Sequence, residues 1–170
     1  HSSNRHRHRD PQVAESIEKA MSGLIDEGLV VVRHKGDFVE VELRTDILFP
    51  SGSSQLTAQA HVMIERMGEA LIKFPNDLTV EGHTDNRPIN TLEFPSNWEL
   101  SSARAASVVH LLTQRGVEPR RLTVVGHGEH VPVQTNVTET GRNQNRRVMI
   151  IIRGSEEAAL GAPVDLASRG

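Results

Sequence analysis

The chain has 170 residues, 36% of them hydrophobic and 24% charged, with a formal net charge of −3, which is enough for one domain with its own core. That balance lacks the basic stripe of a nucleic-acid binder, and Phe38, Phe49, Phe74, Phe94 and Trp98 are too few aromatics for a base-stacking platform. There is no cysteine, hence no disulfide or thiolate chemistry, and no apolar run approaches the ~20 residues of a membrane helix.

The lead over 1–10, "HSSNRHRHRD", reads as a cloning remnant or linker. Asp10-Pro11 then starts a helix, since Asp caps and Pro suits the first helical position. Val13, Ile17, Ala20, Met21 and Leu24 recur at helical spacing until Gly28 stops the run. This stripe either packs on the chain's own sheet or joins two copies. In "LVVVRHKGDFVEVEL" two β-rich runs flank Lys35-Gly36-Asp37, which predicts a hairpin. Val39, Val41 and Leu43 alternate with Glu40, Glu42 and Arg44, giving that strand one buried and one wet face.

"TDILFPSGSSQ" reads as a loop, and a second helix is expected over 57–74, ended by Pro75. A strand follows over 78–83. "SNWE" has capping-box spacing, with Ser96 as cap and Glu99 reaching back, and predicts a helix running to Arg115 before Gly116. Further strands are expected over 122–126 and 146–153, separated by a polar loop over 131–145. The end, 154–170, is small and polar and reads as a flexible tail. The order implies a two-layer α/β sandwich with right-handed crossovers, in which continuously apolar 148–152 is a central strand. The strands ending near His83 and His127 would run parallel and place their carboxyl ends on one side, where open sheets bind ligands.

Two segments repeat a pattern at that side: "LTVEGHTDNRP" from Leu78 and "LTVVGHGEHVP" from Leu122. Three chemistries fit. His83, Asp85, His127, Glu129 and His130 could ligate a metal, but they have neither His-x-x-x-His helical spacing nor cysteine partners. A metal-dependent hydrolase built on His83, His127 and His130 is the enzymatic version, yet no Gly-x-Ser-x-Gly elbow or Walker loop accompanies it. The third is a socket for a zwitterion. Arg104 follows Asn97 by seven residues, so the two share a helix face, and side chains lean toward the helix N-terminus where the Asp85 loop enters. A carboxylate and a guanidinium can grip an ammonium and a carboxylate on one carbon. The spacing equally allows Asp85 and Arg104 to pair with each other.

"VEGHTDNRPI", "NWELSSARAASVV", "RLTVVGHGEHVPV" and "GRNQNRRVMIII", in that order over 38–153, resemble the OmpA-like peptidoglycan-binding domain. The long "NRPINTLEFPSNWELS" loop and "ILFPSGSSQL" resemble its MotB-like branch, the stator proteins of the flagellar motor. The resemblance implies a β-α-β-α-β-β mixed sheet of order 1-4-2-3 with helices on one face, preceded here by the N-terminal helix and first hairpin strand over 11–37. It implies a non-enzymatic, cofactor-free domain that binds diaminopimelate of the peptidoglycan stem peptide. The family's aspartate falls on Asp85, its arginine on Arg104 and its supporting asparagine on Asn97. An arginine of the "NRR" motif falls on Arg146, with Arg147 adjacent, and Phe49 matches a pocket-edge aromatic. His83 and His127 become structural strand-end residues. A stator implies a homodimer, a channel partner subunit and a periplasmic domain of an inner-membrane protein whose membrane helix this chain lacks. An OmpA-like lipoprotein or porin tail with the same socket is the alternative.

Overall fold

The computed structural model describes residues 12–154; the expected lead, the Asp10-Pro11 cap and the tail beyond Gly154 lie outside them. The elements are α1 (12–20), α2 (Ser22–Asp26), β1 (Val30–Lys35), β2 (Phe38–Arg44), α3 (Thr45–Leu48), α4 (Ala58–Leu71), β3 (Leu78–His83), α5 (Asn97–Gln114), a 3-10 turn (Pro119–Arg121), β4 (Leu122–Gly128), α6 (Glu139–Asn145) and β5 (Arg147–Arg153). The five strands lie in the order β1-β2-β5-β3-β4. The expected 1-4-2-3 order is found in β2-β5-β3-β4, and the hairpin strand β1 extends the sheet beside β2.

Strand alternation divides the two faces. Val39, Val41 and Leu43 of β2, Leu78 and Val80 of β3, and Val148, Ile150 and Ile152 of β5 are buried in one core with Met63, Ile64 and Met67 of α4 and Val108 and Leu112 of α5. Val13, Ile17 and Met21 enter the same core, so the N-terminal stripe packs on its own domain. The opposite, helix-free face carries Arg33, Glu40, Glu42, Glu81, His83 and Arg147. Two stretches expected to be loops contain helices. Thr45–Leu48 makes one turn, and Glu139–Asn145 forms α6, capped by the Thr138 hydroxyl accepting from the Gly141 N–H. Neither has an apolar stripe, so periodicity could not reveal them.

The repeated segments are paired strands. β3 and β4 run parallel with Leu78 opposite Leu122, Thr79 opposite Thr123, Val80 opposite Val124 and Gly82 opposite Gly126. The two glycines are required by α5, which crosses both strands. A Cβ at Gly82 would collide with the Ser101 carbonyl, and one at Gly126 with the Ser102 hydroxyl. Backbone cannot swing away as a side-chain tip can. Gly82→Ala is therefore expected to destabilise by about 3 kcal/mol and to lower Tm by about 10 °C. A thermal melt within 2 °C or so of the parent would refute this close crossing.

Candidate functional site

Capping fixes where α5 begins and so where the site's residues start. The Ser96 hydroxyl accepts the Trp98 N–H and contacts the Glu99 carboxylate, a variant of the expected capping box. Asn97, in the first turn, donates its amide to the Arg87 carbonyl at 3.0 Å and lies 3.5 Å from the Asp85 carbonyl. It thereby ties the loop after β3 to the helix. Within that loop the Asp85 carboxylate accepts the Arg87 N–H at 2.9 Å, an Asx-type turn that aims its second oxygen outward.

A cavity of about 580 Å³ opens there, and Phe49, Asp85, Asn97, Arg104 and Arg146 all line it. The five residues singled out from the sequence thus meet in one place. Asp85 and Arg104 do not pair. Asp85 Oδ2 instead accepts from Arg146 Nη1 at 2.6 Å. Arg104 donates Nε to the Ser53 carbonyl at 2.8 Å and Nη2 to the Pro50 carbonyl at 3.3 Å, and its guanidinium lies 5.2 Å from the Phe49 ring centre. Phe49, 2% exposed, is a floor beneath that cation more than a rim.

Burial pushes the Arg104 guanidinium down to about 10, with Asp46 opposing the shift and Arg146 adding to it. It stays charged at neutral pH. Burial also works against the Arg146 charge, but the hydrogen bonds it donates to Glu139, Asp85 and Asp46 overcome it and raise its pKa. Arg146 thus sits in a ring of three carboxylates, with Glu139 at 2.8 Å and Asp46 at 3.2 Å. The junction between α6 and β5 decides between the neighbouring arginines. Arg146, at the end of α6, faces the cavity, whereas Arg147 starts β5 and turns to the helix-free face, donating to the Asn145 and Val131 carbonyls.

Sequence reasoning missed Asp46, Arg87 and Glu139, which also line the cavity. Asp46 and Glu139 belong to the two unpredicted helices, and the signal that could have found α6 is Thr138 as cap with Glu139 in the first turn. The lining holds three carboxylates (Asp46, Asp85, Glu139) and three guanidinium groups (Arg87, Arg104, Arg146). Such a cavity has no net charge but strong local fields of both signs, which suits a ligand that is itself a zwitterion.

Residues 48–146 match the OmpA family model. The chain belongs to the OmpA family. It is 31% identical over 153 residues to Motility protein B of Bacillus subtilis, an alignment covering 88% of this chain and 54% of that protein. Among solved structures it resembles the cell wall anchor of the T6SS from Pseudomonas aeruginosa, with TM-score 0.77 and 37% identity, covering 82% of this chain and 97% of that one. It also resembles the periplasmic domain of Helicobacter pylori MotB, with TM-score 0.68 and 26% identity, covering 82% and 84%. The chain spans about half the length of the curated relatives it matches. Among the described residues no helix of this OmpA-family chain is long and apolar enough to cross a membrane.

The hydrolase trio does not assemble. His83 and His127 stack with ring centres 4.6 Å apart, but His130 stacks on Trp98 instead. The acidic neighbour of the stacked pair is Glu81, at the one position where "LTVEGH" and "LTVVGH" differ, opposite Val125 of β4. Burial holds the His83 imidazole below its ordinary pKa, Glu81 pulling the other way and Arg147 adding to the depression.

Proposed function

We propose that the Asp85–Arg104 cavity binds the zwitterionic end of diaminopimelate in the peptidoglycan stem peptide, and that the domain is a non-enzymatic wall anchor of a flagellar motor stator. The carrying observation is the convergence of Asp85, Asn97, Arg104, Arg146 and Phe49 on one charge-balanced cavity. Asp85 accepts the ligand ammonium, oriented by Arg146 and by the Arg87 N–H. Arg104 receives the ligand carboxylate, its charge seated on Phe49 and its direction set by the Ser53 and Pro50 carbonyls. Asn97 holds the loop. The kinship with Motility protein B and with a MotB periplasmic domain supports the stator role and a periplasmic setting in a membrane-anchored protein. That role implies a second copy of the chain and a channel partner subunit.

Competition tests the ligand. Free diaminopimelate at millimolar concentration should displace the domain from purified cell-wall sacculi, while Nα-acetyl-lysine amide, whose one charged group is the side-chain ammonium, should not. Equal displacement by both, or by neither, would remove the zwitterion from the proposal.

The 37% identity to the secretion-system anchor supports a second reading, in which the same socket anchors a secretion machine. Swimming of cells whose native copy carries Asp85→Asn separates the two. A stator anchor predicts lost motility with secretion unchanged.

A further inference from the structure

We propose that Glu81, His83 and His127 form a binding site for one divalent transition-metal ion, zinc by preference. The site shares no residue with the cavity around Asp85.

The geometry has the spacing of ligands, not of a hydrogen-bonded pair. His83 Nε2 and His127 Nε2 each lie 3.6 Å from Glu81 Oε1, and the donor atoms of the three residues fall within 4.8 Å of one another. A nitrogen and an oxygen 3.6 Å apart are past hydrogen-bond range. Around a tetrahedral zinc with bonds of about 2.0–2.2 Å, ligand atoms stand roughly 3.3–3.5 Å apart. A metal lies in the plane of each imidazole that binds it, so two rings stacked at 15° cannot share one as they stand, and closing the set requires His127 to rotate out of the stack. His127 is partly exposed, whereas His83 is buried, so any such rotation falls to His127.

A second, independent observation points to a ligand. His83 is 3% exposed, yet neither of its ring nitrogens has a hydrogen-bond partner among the described residues. A buried polar group without a partner is unfavourable by about 1–3 kcal/mol. An ion bridging it to Glu81 and His127 would relieve that. The histidine comes at the register shift that follows Gly82, where His83 faces Gly128 in place of His127. The bulge brings the two imidazoles side by side, with rings stacked at 15°.

The donor set selects the metal. Two imidazoles and one carboxylate suit zinc, nickel or copper, whereas magnesium and calcium prefer all-oxygen shells. Arg147 lies opposite His83 in the sheet and opposes added positive charge. Its guanidinium is held by the Asn145 and Val131 carbonyls, and Glu40 and Glu42 share its field along with Glu81. Bound there, the ion would pin the ends of β3 and β4 where β3 passes into Thr84 and Asp85. It would act as a clamp, with no reaction assigned to it.

Calorimetric titration of zinc chloride into the full chain tests this. The lead carries His1, His6 and His8, so the parent for the titration bears His1→Ala, His6→Ala and His8→Ala. The expected result is saturation at one zinc per chain, no heat with magnesium, and a Tm raised by about 5–10 °C at a hundredfold excess over Kd. Glu81→Gln and His127→Ala, both at partly exposed positions that the core does not need, should each weaken zinc binding at least about tenfold. Lack of saturable binding, or unchanged affinity in both variants when folded by circular dichroism, would overturn the site.

Discussion

Asp85→Asn and Arg104→Ala should each abolish sedimentation of the folded domain with purified sacculi. Truncating one partner of a shielded charge pair costs about 2–5 kcal/mol, much of it from the charge left stranded. At 1.4 kcal/mol per decade this is a loss of about 30-fold to a few thousand-fold. The fold should survive both changes. In Asp85→Asn the side-chain carbonyl can still accept the Arg87 N–H, and Arg146 keeps Glu139 and Asp46. In Arg104→Ala the 50–53 segment loses two anchoring hydrogen bonds at the cavity's edge, while the core residues beneath are untouched. Arg104→Lys should fail as well. A lysine offers a point charge where a planar fork must serve a carboxylate and two backbone carbonyls at once. Wild-type sedimentation by both Asp85→Asn and Arg104→Ala, with circular dichroism unchanged, would sink the socket.

What the sequence disclosed about this socket depended on pattern. The strands and long helices were legible because their apolar residues repeat at 2 or 3.6, and β3 lies where it was expected, over Leu78–His83. The repeat of leucine, threonine, valine and glycine was legible as a repeat, but its cause was not. The glycines serve a helix crossing that only packing shows, and the histidines meet on the opposite face. α6 was invisible because its buried residues are Gly141 and Asn145. Its place is set by polar bonds, with the Asn145 side chain accepting from the Val133 and Gln134 N–H groups and donating to the Gln134 carbonyl. Since α6 delivers both Glu139 and Arg146, two of the six charged groups that line the cavity depend on an element beyond hydrophobic periodicity. Glu81 was missed for a related reason. On a strand it reads as an ordinary wet-face residue until the neighbouring strand places His127 beside it.

Ile17→Asp should cause a large loss of stability and leave the molecular mass unchanged. From spacing, the stripe of Val13, Ile17, Ala20, Met21 and Leu24 suited either a second copy or the chain's own sheet. In the structure Val13, Ile17 and Met21 are at most 1% exposed within the common core, and Ala20 and Leu24 pack against it. A dimer built on these residues would have to pull them out of that core, so any homodimer must use another surface. Removing the Ile17 side chain alone forfeits about 2–5 kcal/mol. An aspartate there also places an unpaired carboxylate among apolar side chains, which raises the penalty further. Against a typical domain stability of about 5–15 kcal/mol, a loss near 5 kcal/mol lowers Tm by about 10–20 °C. Leu24→Asp should do less, because Leu24 is only partly covered. Light scattering across a dilution series should give each folded variant the mass of the parent. A variant that melts with the parent but loses a concentration-dependent dimer would show that the stripe leaves the core to join two chains, and that the packing described for α1 is not the one in solution.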